Sequence, residues 1–369
     1  MPARSLQTTA ADGLYVGLMS GTSLDAIDAV LLHCGREIRL LASHSHPIPP
    51  ILRDEILALC QPGENEIDRT GRVHIALGNL FADATLQLLA SAGVNASQVQ
   101  AIGCHGQTIR HRPGSNGFTV QIGSADVLAV RTGIAVVSDF RNRDMALGGQ
   151  GAPLVPAFHQ AMWGRRSRCA IVNIGGMANI TCLDNGKIIG GFDTGPGNVL
   201  MDYWIQQQRN EPYDRNGVWA ASGHVLPDLL ATLLREPYFS QPSPKSTGRE
   251  LFNGAWLERH LGEQQANDVQ ATLLELTATS ITSALTPFKP AQVLLCGGGA
   301  HNQTLMQRLQ TLISDAPVTT TDEAGMPADW VEAAAFAWLA WARLNGVSGN
   351  AIAVTGASRP AVLGALYLP

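Results

Sequence analysis

The chain has 369 residues, 45 % of them hydrophobic and 15 % charged, with a formal net charge of −5. That length points to two domains, each with enough apolar content for its own core. The mildly acidic balance argues against a nucleic-acid or membrane-surface partner. Lys187, Lys245 and Lys289 are the only lysines, so the basic side is nearly all arginine, whose planar fork suits phosphate and carboxylate. Six cysteines stand in or beside apolar runs with no CxxC pair, which fits free, mostly buried thiols in a reducing compartment. Residues 1–13 lack a basic region followed by an apolar one. No secretory signal is expected, and the cytoplasm is the expected location. The run 333–342 is too short to span a bilayer and reads as a buried helix.

In chain order, apolar runs at 14–18 and 29–32 flank Ser20, Gly21, Thr22 and Ser23, with Asp25 and Asp28 following. Strand, polar turn, strand is the simplest arrangement. Such a turn exposes backbone N–H groups where a phosphate can approach. Asp25 or Asp28 can then hold Mg²⁺ through its waters; two solvated aspartates on a tight hairpin explain the pattern equally well. A third strand is expected at 38–42. His44 and His46 alternate with serines and are expected on an exposed strand face. Helical periodicity covers 52–60 and 73–92, and Gly93 closes the second helix.

A strand at 99–104 ends at His105, Gly106, Gln107 and Thr108, polar groups at the strand end where open α/β sheets bind ligands. A strand (118–122), a short helix (124–132) and a strand (134–137) follow. Asp139, Arg141, Arg143 and Asp144 then form a polar loop before the glycine-rich run 148–153. A second block opens at 170–174: strand, Gly175-Gly176 turn, strand (180–183), Asn185-Gly186 hairpin turn, strand (188–192). It repeats the opening pattern, so an internal duplication is expected. This block ends at Asp193, which leaves a strand into a Gly/Pro turn: it either caps that turn or, in an interdomain cleft, is well placed to act as a general base.

Residues 210–250 are loop-rich, with one helix at 226–234. Pro244-Lys245-Ser246-Thr247-Gly248-Arg249 has the composition of a phosphate loop but not its spacing. A long helix is expected at 268–285. A strand at 293–296 then runs into Gly297, Gly298 and Gly299 before a helix at 304–312. Three glycines there permit close approach of a ligand to the backbone. The last long helix starts near Glu332, a position its dipole favours for a carboxylate. The tail is expected to return a strand or helix to the first domain.

Glycine-rich turns after strands in two similar blocks resemble the actin-like ATPase and sugar-kinase superfamily. The motifs GLMSGTSLD (17–25), GCHGQT (103–108), DFR (139–141), GGQGAPLVP (148–156), NIGG (173–176), GFDTGPGN (191–198), PKSTGRE (244–250) and CGGG (296–299) together resemble the anhydro-N-acetylmuramic acid kinase family. One departure is Ala26, where that family usually carries Gly.

The resemblance implies an α/β fold of two actin-like (ribonuclease H-like) domains with a nucleotide cleft between them. Domain I is expected at 1–135 plus 350–369, and domain II at 136–349. It implies that ATP and water convert 1,6-anhydro-N-acetylmuramic acid to N-acetylmuramic acid 6-phosphate and ADP in cell-wall recycling. Asp193 matches the base that activates water, and Glu332 a supporting carboxylate. Gly21, Thr22, Ser23, Leu24, Asp25, Ala26, Ile27 and Asp28 match the ATP-phosphate segment, with Mg²⁺ at Asp25 through water. Gly297, Gly298 and Gly299 match the adenosine turn. His105, Gly106, Gln107, Asp139 and Arg141 are the candidate sugar contacts. The expected partners are the sugar and ATP, and a homodimer is allowed. The competing expectations are a sugar kinase acting on an ordinary hydroxyl, and a non-enzymatic nucleotide switch.

Overall fold

The computed structural model describes residues 12–21, 24–114 and 116–369. It divides into two compact units. Unit 1 is Met1–Phe158, Glu332–Asn350 and Ala357–Pro369, and unit 2 is His159–Val331 and Ala351–Gly356.

Unit 1 is built on a six-stranded sheet. Its strands are β1 (Gly13–Ser20), β2 (Ala26–Cys34), β3 (Arg39–Pro47), β4 (Val99–Cys104), β7 (Val136–Ser138) and β13 (Ala365–Tyr367). Their order is β13-β7-β4-β1-β2-β3. β1, β2 and β3 form an antiparallel meander, while β4 lies parallel to β1 and β7 parallel to β4. A separate hairpin, β5 (Gln107–Arg112) with β6 (Phe118–Ile122), stands between β4 and β7 in the chain. Helices α1 (Pro50–Leu59), α2 (Glu66–Ala92) and α3 (Ala125–Thr132) complete the core. Phe81, Leu77 and Leu88 of α2 meet Val16, Leu18, Ile27 and Leu31 of the sheet there. A fully buried side chain of this size contributes about 2–3 kcal/mol. α2 is long and apolar enough to cross a membrane, but half of that stretch is buried in this core.

Unit 2 repeats the plan. Its strands are β8 (Cys169–Ile174), β9 (Met177–Asp184), β10 (Lys187–Pro196), β11 (Gln292–Cys296) and β12 (Val318–Thr320), in the order β10-β9-β8-β11-β12. β8, β9 and β10 are antiparallel, and β11 and β12 run parallel beside β8. Each unit therefore carries the same meander and the same two parallel crossovers, as the expected duplication requires. The fold is α/β with two actin-like, ribonuclease H-like units. α11 (Ala266–Leu285) in unit 2 takes the place α2 has in unit 1, between the third and fourth strands.

The structure corrects several expectations. The first boundary falls at 158/159, not 135/136, because β7 pairs with β4 inside the first sheet. Residues 332–349 join unit 1, and 351–356 join unit 2. The tail does return a strand, since β13 pairs antiparallel with β7. The charged run 139–144 is not all loop: α4 spans Arg141–Ala146. The histidine face of β3 is the half-buried one, and its serines are exposed. His46 reaches Gln87 of α2 at 3.2 Å.

α13 (Val331–Leu344) packs on unit 1 through a slot made by two glycines. Gly17 of β1 and Gly103 of β4 are paired in register. A Cβ on Gly17 would collide with the Ala333 carbonyl and lie 2.7 Å from the Ala337 nitrogen. One on Gly103 would collide with the Phe336 carbonyl. The helix is buried nearly all round from Ala333 to Ala340, as a helix apolar on every side must be.

Buried histidines give the fold an acid sensitivity. His159 is buried against Trp163 and bonded to Thr181, and burial lowers its pKa from the ordinary 6.5 to about 3. His111 is lowered to about 4, by burial first and then by the Arg141 charge. Both stay neutral in the folded chain, whereas the unfolded chain takes up protons near 6.5. Their contribution is complete above about pH 6.5 and is lost progressively as pH falls from there to about 3 for His159 and about 4 for His111. For His159 the loss approaches about 1.4 kcal/mol per pH unit below 6.5. Urea unfolding from pH 7.5 to 4.5 should show stability falling with pH, and His159→Gln should reduce that slope. An unchanged slope would refute the assignment.

Candidate active site

The turn after β1 brings Ser20 and Gly21 to the mouth of the β1–β2 hairpin. Ser20 is 2 % exposed, and its Oγ has no hydrogen-bond partner among the described residues. A Cβ on Gly21 would meet nothing within 4 Å, so the backbone there is open to a ligand. Leu24 holds a left-handed φ of 57°, and its N–H bonds the Gly21 carbonyl at 3.3 Å. Thr22 and Ser23 lie outside the described residues. Leu24 and Ile27 send their side chains into the core, so they shape the turn rather than offer side-chain contacts. Ala26 starts β2 opposite Pro47. Asp28 is in β2 and accepts from the Ser45 hydroxyl at 3.4 Å. Asp25 is exposed, with its carboxylate 3.5 Å from Arg53.

At the end of β4, His105 and Arg141 come together. Arginine only donates, and Arg141 Nε and Nη2 lie 3.0 and 2.9 Å from His105 Nε2. That nitrogen must be the acceptor, so Nδ1 carries the proton and donates to the Gly106 carbonyl at 2.8 Å. Burial, and then the Arg141 charge, hold the His105 pKa well below its ordinary value, which keeps the ring neutral. Arg141 Nη1 also donates to the Gly151 carbonyl at 2.7 Å, fixing the glycine-rich segment. The fully buried Asp144 anchors the same segment, accepting from the Gly151 N–H at 2.8 Å and from Asn350 at 2.9 Å. Gln107 is 5 % exposed, and its Oε1 has no partner among the described residues. Asp139 takes a left-handed φ of 58° after β7 and accepts from Asn142 at 2.6 Å. His105, Gly106, Gln107 and Arg141 thus form one group, with Asp139 two residues before Arg141.

In unit 2, Gly297 has φ 77° and leads from β11 into a 3-10 turn, Gly298–His301. A Cβ on Gly297 would strike Asn173 Oδ1, a buried oxygen without a partner among the described residues. Gly299 packs on Ile174 in the same way, while Gly298 is exposed. α12 (Gln303–Leu312) follows, with Asn302 capping it through Leu305 N–H at 3.0 Å.

Asp193 does not leave its strand where expected: β10 continues to Pro196. The register slips between Asp193 and Gly195, a bulge that re-aims the side chains around it. Asp193 is tied to the loop 238–247 at three atoms. Its N–H donates to the Lys245 carbonyl at 3.3 Å, and its own carbonyl accepts from the Tyr238 hydroxyl at 2.6 Å. Its Oδ2 accepts from the Thr247 N–H at 3.0 Å. Sequence reasoning passed over Tyr238 and gave Lys245 and Thr247 the composition of a phosphate loop and a place in a family motif, but no role beside Asp193. Their proximity to Asp193 arises from a tertiary contact that no local pattern encodes. Glu332 stands in the first turn of α13, as expected, but on unit 1. Among the described residues, no three His, Cys, Asp or Glu side chains gather into a metal site. A surface hollow of about 570 Å³ on unit 2, edged by Arg165, Arg166 and Asn185, includes none of these residues.

A family model described as anhydro-N-acetylmuramic acid kinase matches residues 13–369. The chain belongs to the anhydro-N-acetylmuramic acid kinase family. Proteins of that name from Saccharophagus degradans and Pseudomonas putida are 50 % and 51 % identical to it, over 96 % of this chain and 99 % of each relative. One from Pseudomonas paraeruginosa is 53 % identical over 96 % of this chain and 98 % of its own. Among solved structures, component A of (R)-2-hydroxyglutaryl-CoA dehydratase from Acidaminococcus fermentans has a TM-score of 0.46 and 11 % identity. It covers 89 % of this chain and 99 % of its own. A likeness at that level carries no functional argument. As a member of its family this chain is a kinase, an enzyme of phosphoryl transfer.

Proposed function

We propose that this kinase opens 1,6-anhydro-N-acetylmuramic acid and phosphorylates O6, with Asp193 as the base. What supports the reading is the family match along 13–369, with an aspartate held by its backbone N–H, its carbonyl and one carboxylate oxygen at the match to the family's base. The substrate has no free 6-hydroxyl, because O6 closes the anhydro bridge. Asp193 takes a proton from water, whose oxygen bonds to C1 as the C1–O6 bond breaks. O6 then bonds the γ-phosphorus of ATP and ADP leaves. The products are N-acetylmuramic acid 6-phosphate and ADP, and the water proton is released from Asp193. The pathway served is cell-wall recycling, and six free cysteines fit a cytoplasmic setting.

The open Gly21 backbone and the orphan Ser20 hydroxyl suit the ATP phosphates, and the Gly297–Gly299 turn suits the adenosine. The neutral His105, Gln107 and Arg141 suit the sugar, with Asp139 beside them. Arg141 provides a fixed positive charge for the lactyl carboxylate or a phosphate. Glu332 supports the site as a second carboxylate. Magnesium fits here only as an ion carried mainly by phosphate oxygens and water, since Asp25 is the one exposed carboxylate at this turn. When bound, that ion neutralises developing phosphate charge. Asp25 would reach its water once it turned from Arg53, an exposed ion pair worth little.

The experiment is turnover in ¹⁸O-labelled water. The product should carry the label at C1 and none in the bond between O6 and phosphorus. An unlabelled C1 would leave a kinase acting on an ordinary sugar hydroxyl.

A further inference from the structure

The loop that grips Asp193 is itself closed by one side chain. Lys245 Nζ donates to the Tyr238 carbonyl at 3.0 Å and to the Phe239 carbonyl at 3.3 Å. The same ammonium lies 4.6 Å from the Tyr238 ring centre and 5.4 Å from that of Phe192, the residue before Asp193. One cation therefore joins both ends of the loop 238–247 and rests on the strand that carries the base. We propose that Lys245 is a positioning residue for Asp193, holding Tyr238 and Thr247 where they fix its backbone and its carboxylate. This rests on the assignment of Asp193 as the base.

The physical case has three parts. First, the ammonium is a compact donor, so it bonds two adjacent carbonyls and faces two aromatic rings at once. Second, the grip on Asp193 comes from a backbone N–H and a phenol hydroxyl, whose positions depend on the path of the loop. Without Lys245 the Phe239 carbonyl loses this donor, the Tyr238 carbonyl is left with the Gln241 N–H at 3.2 Å, and the side-chain tie from residue 245 back to 238–239 is gone. Third, the charges support one another. Burial lowers the Lys245 pKa and the negative charge of Asp193 raises it back, so by reciprocity the ammonium favours ionised Asp193. Tyr238 is pushed upward, by burial first and then by the charges of Asp193 and Glu250, and remains a hydroxyl donor.

The test is Lys245→Met, which keeps the apolar stem, assayed for ADP release with anhydro-N-acetylmuramic acid beside Lys245→Arg and Asp193→Asn. A misplaced base should lower kcat by ~10–100-fold in the Met variant, while the KM for ATP stays within about 3-fold. Lys245→Arg retains charge and donors and should recover most of the loss. Lys245→Gln, which retains one donor, should fall between the Met variant and wild type, and it serves if the Met variant does not fold. The inference is overturned if the Met or Gln variant keeps wild-type kcat, or if Arg rescues nothing. If Asp193→Asn is inactive while Lys245→Met is fully active, only the role of Lys245 fails. If Asp193→Asn is itself active, the base assignment fails.

Discussion

Asp193→Asn should reduce kcat by ~10²–10⁴ or more, the loss expected when a general base is removed. The substitution is nearly isosteric, and an amide oxygen can still accept the Thr247 N–H now bonded at 3.0 Å. The backbone ties to Lys245 and Tyr238 do not involve the side chain at all. The variant should therefore fold and retain wild-type affinity for ATP, while the step that needs a proton acceptor stops. Steady-state kinetics with a thermal-unfolding control decides the matter. Near-wild-type turnover would remove Asp193 from the chemistry.

The second large effect concerns stability. Gly103→Ala places a methyl group against the Phe336 carbonyl, 2.6 Å from its carbon, where backbone and not a mobile side chain stands. α13 must move away from the sheet or β4 must bend. A loss of about 3 kcal/mol is expected, at the upper end of overpacking effects, or roughly 6–12 °C in the unfolding midpoint. If Glu332 supports the site as proposed, activity should fall too, because it rides on the first turn of the displaced helix. Gly71→Ala is the matched control. Gly71 is exposed inside α2 with nothing within 4 Å of an added Cβ. The same methyl group there should stabilise by about 0.5–1 kcal/mol. Equal effects at both positions would show that the slot is not the cause.

Much of the fold was legible because strand and helix periods differ. Apolar runs of strand length, the Asn185-Gly186 turn and the repeated Gly-containing turns pointed to a duplicated meander before any coordinate. The β5 strand was missed because Gln107–Arg112 carries no apolar run long enough to announce it. α4 was missed because Arg141, Arg143 and Asp144 look like loop in one dimension, although Asp144 is fully buried. The first boundary was misplaced because β7 finds its partner across an inserted hairpin, a pairing no window of sequence contains. For the site, local chemistry singled out Asp193, His105 and the glycine turns, and the family resemblance supplied their roles. What neither could supply was the company of Asp193. Tyr238 and Lys245 reach it through a loop some fifty positions later in the chain.

The order in which the chain is made has a bearing on unit 1. Its meander emerges first from the ribosome, but α13 and β13 belong to stretches that follow nearly all of unit 2. Until then the backbone slot at Gly17 and Gly103 has no helix to fill it, and β7 presents an unpaired edge. The nascent first unit thus waits, incomplete and with apolar surface uncovered, while the second has all five strands and lacks only the segment 351–356. The N-terminal unit is thus the last to have all its segments made. The late helix carries Glu332, so unit 1 acquires that carboxylate only with the helix that closes its core.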